Sequence, residues 1–373
     1  MGWFRRIVSI GRKNKMKYLK WLAIIVLAFA MTACGNNSTG EGTPTEGPTA
    51  TPTQEVTPEP TEVPVGDAYN CYLFVYFTGD HAGDERIYYA VSEDGFHWDT
   101  LNNGEAVITS EVGTKGLRDP FIMRSATGKR IYMLATDLHI AASGNWGAAQ
   151  NTGSKSIMMW ETKDMIYWSG QAAQELAPAT AGCAWAPEAF YNDKTGEYMV
   201  FWSSRVSEDN FIKQRVYYVT TEDFMSFSEP QIWIEKDSDV IDVTVIKEGD
   251  TYYRFFKCAG TNGIIMESST DLLGVWEQVN SPSVESQVGI EGPAAFELHP
   301  EDVVDGNKYV LLLDNFGGEG YYYMVTDTLS DGEFTKLDAD KYSAPKNIAR
   351  HGTVMRISQK EYDNLVKKYG KTE

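Results

Sequence analysis

The sequence predicts an all-β chain folded as a five-bladed β-propeller, closed by strands from both of its ends. Three observations carry that expectation: one short motif occurs five times, strand-like runs precede each copy, and the first unit lacks a strand that the C-terminus can supply. The motif is a strand ending in Ser or Thr, an acidic turn, and an aromatic. It reads Val91-Ser92-Glu93-Asp94 to Trp98, Glu161-Thr162-Lys163-Asp164 to Trp168, Thr220-Thr221-Glu222-Asp223 to Phe227, Ser268-Ser269-Thr270-Asp271 to Trp276, and Val325-Thr326-Asp327 to Phe334. Such a copy is a hairpin whose turn is built by Ser, Thr and Asp and whose aromatic packs back on the neighbouring unit. Acidic turn residues such as Asp164 and Asp223 are therefore turn formers.

Ahead of each copy lies a run rich in Tyr, Phe, Val and Leu: Tyr72 to Phe77, Ile131 to Thr136, Tyr198 to Trp202, Tyr252 to Phe256 and Tyr309 to Leu313. Ahead of four of these lies a further strand, opening at Arg118-Asp119-Pro120, Trp185-Ala186-Pro187-Glu188, Ile241-Asp242 and Glu291-Gly292-Pro293. Each unit is then a four-stranded antiparallel sheet of blade size. The first unit has no such strand, and the last complete unit is followed by an unpartnered one, Arg350 to Met355, so the C-terminal strand should complete the first blade and leave no open ring edge. An open β-sandwich would not repeat so evenly. Ser358 with Glu361 three residues on is a capping box opening a short terminal helix. The expected organisation is 69–358 propeller and 359–373 helix and tail.

The first 33 residues hold seven Lys or Arg and no acid, then an apolar run, Trp21 to Met31, then Thr32-Ala33-Cys34. This order reads as a secretory signal, since the run is short of the ~20 residues a membrane span needs. Small residues before Cys34 resemble a bacterial lipobox, which implies a lipid on that thiol; translation could also start at Met16. Residues 34–68 are a Thr-, Pro- and Glu-rich tether that cannot bury a core. The chain is thus expected on the extracellular face of a bacterial membrane. Loss of the signal takes the net charge from −19 to −26, which argues against nucleic acid as a partner and suits neutral polysaccharide. Cys71, Cys183 and Cys258 read as buried free thiols, with one bridge as the alternative.

Innermost strands line a propeller's channel, so their first residues converge. Asp119, Asp242 and Glu291 stand there, and carboxylates gathered in a confined mouth suit glycoside hydrolysis, which needs one protonated and one ionised carboxyl. The five motifs, in order and each at the start of its own blade, resemble glycoside hydrolase family 43 across the whole propeller. The resemblance implies an inverting hydrolase with Asp119 as general base, Glu291 as general acid and Asp242 tuning that acid. Fructan-cleaving propellers share the Arg-Asp-Pro motif, but this chain lacks their Trp-x-Asn-Asp-Pro start and has Glu-Gly-Pro where they have Glu-Cys.

Other candidates follow from position. Arg118 shares the first motif and is expected beside the substrate. Trp185 reads as a pocket wall, or as core; Trp146, in a Gly- and Asn-rich loop, reads as a rim platform for a sugar face. Glu188 either contacts sugar hydroxyls or fixes its strand. Asp137 and His139 follow a strand and are weaker candidates for the same mouth. His351 matches a family histidine at the site floor. It either packs there or helps to hold a hydrated calcium ion, and no calcium-loop spacing favours the ion, so no cofactor is required. Gly317-Gly318-Glu319-Gly320 is no phosphate cradle, because neither a helix nor a Lys follows it. The substrate implied by the resemblance is plant hemicellulose or pectin side chains, cleaved at arabinofuranosyl or xylosyl linkages by a monomer. An endo-arabinanase, a galactan-acting enzyme and a non-catalytic sugar-binding propeller are the competing readings.

Overall fold

Each of the five repeats folds into a four-stranded antiparallel blade. The computed structural model describes residues 68–318 and 320–372; the signal segment 1–33, Cys34 and, save Ala68, the tether 34–68 lie outside the described residues. Along the chain the strands are β1 (Cys71–Phe77), β2 (Tyr88–Ser92) and β3 (Asp99–Thr100); β4 (Leu117–Arg124), β5 (Ile131–Asp137), β6 (Ser156–Thr162) and β7 (Ala172–Glu175); β8 (Trp185–Asn192), β9 (Glu197–Ser204), β10 (Arg215–Thr221) and β11 (Gln231–Ile234); β12 (Val240–Glu248), β13 (Thr251–Cys258), β14 (Gly263–Ser269) and β15 (Glu277–Gln278); β16 (Glu291–Glu297), β17 (Tyr309–Asn315), β18 (Gly320–Thr326) and β19 (Thr335–Lys336); and β20 (Arg350–Ile357). Blade I is β20-β1-β2-β3, and blades II to V are the four sets between, each in sequence order. The C-terminal strand therefore pairs with β1, Leu73 opposite Met355 and Phe74 opposite Val354, and closes the ring as expected.

Alternation along a strand explains why the second strands read as unbroken apolar runs. On β1, Leu73 and Val75 face a core shared with blade II, whereas Tyr72, Phe74 and Tyr76 face a core shared with blade V. Three further cores join II to III, III to IV and IV to V. Both faces of every second strand are buried, so no polar face interrupts the sequence. The motif aromatics sit at these joints: Trp276 meets Trp233 edge to face, and the Trp98 indole N–H donates to the Tyr323 hydroxyl at 2.7 Å.

The repeated turn works through its Ser or Thr and the Asp two residues on. Thr162 Oγ1 accepts from the Asp164 and Met165 amides, and Asp164 Oδ1 accepts from those of Ile166 and Tyr167; Thr221 and Asp223 do the same in blade III. In blade V the Asp is displaced to 327, and Thr328 takes its place beside Thr326. The terminal helix, Gln359–Tyr369, has the full capping box between Ser358 and Glu361 and buries Tyr362 and Leu365 in the core between blades I and II. Cys71, Cys183 and Cys258 are free and buried; burial pushes the first two thiols up to about 11, which leaves them inert.

Candidate active site

Every innermost strand opens on a β-bulge at the same level. Between Arg118 and Phe121 the chain advances three residues while its partner advances two, from Thr136 to Leu134, and the same step recurs at Trp185–Glu188, Ile241–Thr244, Glu291–Ala294 and Arg350–Thr353. The second bulge residue is Asp119, Ala186, Asp242 or Gly292, each in the left-handed region with φ between 49° and 58°, and His351 in blade I. An L-residue held there costs on the order of 1–3 kcal/mol, and such strain is kept where the backbone must aim a side chain.

The bulges bring Asp119 and Asp242 together at His351, with Glu291 beside Asp242. The His351 Nδ1 lies 3.4 Å from Asp119 Oδ1 and 3.7 Å from Asp242 Oδ1. Thr136 Oγ1 donates to Asp119 Oδ2 at 2.7 Å and accepts from the Ala186 amide at 2.8 Å, while Asp242 Oδ2 accepts from the Gly292 amide at 3.1 Å. Glu291, beside that glycine, accepts from Lys257 Nζ on one oxygen at 2.8 Å and from the Arg350 guanidinium on the other at 2.9 Å. Arg350 Nε and the His351 amide in turn donate to Asp314 Oδ2. The Glu291 side chain keeps 23% of its surface, against 14% for Asp119 and 10% for Asp242, so Glu291 is the most open of the three carboxylates.

The charges divide unequally. Burial pushes Asp119 up, but hydrogen bonding to His351, its charge, and Arg118 and Thr136 outweigh that, so its pKa lies below the ordinary value. Asp242 is pushed up to about 6, by burial first and then by the neighbouring Glu291 and Asp119 charges against the pull of His351. Glu188 rises to about 8: it is buried, Asp242 repels its charge, and His351 and a hydrogen bond to Thr244 offset only part of this. Burial works against a proton on His351, yet Asp242, Asp119 and Glu188 together raise it to about 9. At neutral pH the centre thus holds an imidazolium, an ionised Asp119 and a neutral Glu188. Among the described residues no group of three or more His, Cys, Asp or Glu could hold a metal ion.

The remaining candidates form the rim and its supports. Trp146 is 42% exposed on the short helix Trp146–Asn151 and meets Trp185 edge to face at 6.1 Å, so the two rings form one aromatic wall. Arg118 is buried, pairs with Asp80 and Glu85, and lies over Phe77 at 4.4 Å and under Trp146 at 5.3 Å. It supports the wall from below. Glu188 Oε1 has no hydrogen-bond partner. Asp137 accepts from the Thr114 amide and hydroxyl, and His139 lies 3.8 Å from Glu85, so both hold loop segments in place.

Lys257, Asp314 and Thr136 escaped the sequence reading. Each stands near the end of an otherwise apolar second strand, directly opposite the first bulge residue: Thr136 faces Arg118, Lys257 faces Ile241 and Asp314 faces Glu291. A polar residue closing an apolar run was the available signal.

Residues 67–363 match the family model described as "Probable glycosyl hydrolase domain", a relative of glycoside hydrolase family 43. The chain belongs to that family. An α-L-arabinofuranosidase of Bifidobacterium longum subsp. longum is 35% identical across 74% of this chain. The match spans only 30% of that protein's length. Two family-43 β-1,3-galactosidases share the fold at a TM-score of 0.52, the first 14% identical over 74% of this chain and 57% of its own, the second, bound to galactodeoxynojirimycin, 12% identical over 74% and 92%. In this glycosyl hydrolase family member the convergent carboxylates lie within the matched span, as do all the rim residues.

Proposed function

We propose that the protein is an inverting glycoside hydrolase that cleaves arabinofuranosyl or xylosyl linkages in plant hemicellulose or pectin side chains. The observation that carries this is the convergence of acids from three blades: Asp119 and Asp242 meet one imidazolium, and Glu291 lies close enough to Asp242 for its charge to raise that residue's pKa. Asp119, held ionised, takes a proton from the attacking water. Glu291 protonates the departing oxygen, which requires one of its two cations to release it. Asp242, close to both, orients and tunes that acid, and the charge of His351 keeps Asp119 and Asp242 from repelling one another. Trp146 and Trp185 offer the sugar an aromatic face. The Bifidobacterium relative favours arabinofuranose among the sugars. The order of basic, apolar and small residues before Cys34 supports a lipid anchor there, which places a monomeric enzyme on the extracellular face of the membrane.

The test is hydrolysis of 4-nitrophenyl α-L-arabinofuranoside and β-D-xyloside, with arabinan, xylan and galactan, by wild type, Asp119→Asn and Glu291→Gln. Each substitution should lower kcat by about 10²–10⁴-fold. NMR of the first product should show the anomeric configuration inverted. Retention of configuration would refute the roles given to the pair; equal inertness of all three proteins would make the propeller a binding module.

A further inference from the structure

Glu291 has an aromatic neighbour that the sequence did not single out. Phe316 follows Asp314 and Asn315 at the end of β17, where Asp314 pairs directly with Glu291. A tight turn, closed by the Gly318 amide donating to the Asn315 carbonyl at 2.9 Å, presents the ring at the tip. The ring is 45% exposed in a molecule that buries most of its aromatics in the joints between blades. One of its faces is occupied: Lys257 Nζ, bonded to Glu291 at 2.8 Å, lies 4.8 Å from the ring centroid. A single ammonium thus links the ring to the carboxylate. Blade V, which carries Phe316, borders neither blade II, which carries Trp146, nor blade III, which carries Trp185.

We propose that Phe316 is the platform for the leaving-group sugar. This rests on Glu291 being the general acid. A general acid delivers its proton to the glycosidic oxygen, so the departing residue must lie against whatever flanks that acid at the mouth. On this side the flanking apolar surface is Phe316, whose open face suits the C–H surface of a sugar ring. The Trp146–Trp185 wall then serves the sugar whose anomeric carbon reacts, and Phe316 serves its neighbour. The reading is tested by kcat/KM of wild type, Phe316→Ala and Phe316→Tyr on α-L-arabinofuranosyl, β-D-xylosyl and β-D-galactosyl fluorides and on the matching trisaccharides. Fluoride leaves without a sugar on that side. Phe316→Ala should lower kcat/KM on the cleaved trisaccharide about five- to tenfold, mainly through KM, with the fluoride unchanged and Phe316→Tyr close to wild type. Equal losses on fluoride and trisaccharide would mean that the ring only positions Lys257, and no loss on either would mean that it touches no substrate; both overturn the proposal. A wild type inert on every one of these compounds would instead remove the hydrolase reading beneath it.

Discussion

At the scale of single residues the site is governed by one buried imidazolium. His351 draws a proton because Asp242 and Asp119 face it, and its charge makes a cluster of acids tolerable in a confined channel. Two groups then bracket the active protonation state. Asp242 must be ionised to hold the charge of His351, and with its pKa at about 6 that condition fails as the pH drops below 6. His351 must be charged, and that condition fails as the pH rises through about 9. The kcat/KM profile should therefore be a bell with limbs near 6 and 9, and because the groups interact, the limbs belong to the cluster and not to either residue alone. His351→Gln should abolish the alkaline limb, and Glu188→Gln should keep it but move it to lower pH, because one of the carboxyls that raise His351 is gone. Stopped assays from pH 4.5 to 10.5 read both limbs, and a His351→Gln profile that still falls near 9 would show that another group sets that limb.

At the scale of the element the bulge at the head of each inner strand does the aiming. Gly292 shows why its residue is constrained: with φ at +50°, a Cβ there would stand 2.7 Å from His351 Cγ. Gly196, at φ +78° in a turn of blade III, is equally left-handed, but a Cβ there would meet only the Tyr191 hydroxyl at 4.0 Å. Gly292→Ala should therefore cost about 1–3 kcal/mol more than Gly196→Ala and displace His351, seen as a larger fall in Tm together with a loss of activity that Gly196→Ala does not share. The strands themselves were legible because each is an apolar run between turn formers, and Asp119, Asp242 and Glu291 were legible because they stand at the starts of innermost strands, the first and last of them beside Pro or Gly. Lys257 and Asp314 were not, because their meaning depends on cross-strand register, which a single strand does not encode. Arg118 was legible as a motif, but its engagement by Asp80 and Glu85 comes from a loop that carries no repeat.

At the scale of the molecule, closure of the ring and assembly of the site are one event. β20 supplies Met355 and Ile357 to the core between blades I and II and Val354 to the core between blades V and I. The same strand carries Arg350, which holds Glu291, and His351, which holds Asp119 and Asp242. Without it β1, buried along its whole length, becomes an unpaired apolar edge, and two of the five cores open to water. A chain ending at Ala349 should accordingly lose the whole cooperative transition, bind a hydrophobic dye and aggregate. A chain ending at Ser358 loses the terminal helix, with Tyr362 and Leu365 buried and Glu361 paired to both guanidinium nitrogens of Arg124, and the tail in which Lys371 bridges to Leu101 and pairs with Asp99. It should keep the ring, unfold in a single transition and be less stable by several kcal/mol, since each buried side chain removed costs about 2–5 kcal/mol. Urea unfolding followed by tryptophan fluorescence and far-UV circular dichroism separates the two chains. If the chain ending at Ala349 unfolded with the wild-type midpoint and slope, the last strand would be an accessory to a fold already complete, and His351 could not be what organises the carboxylates.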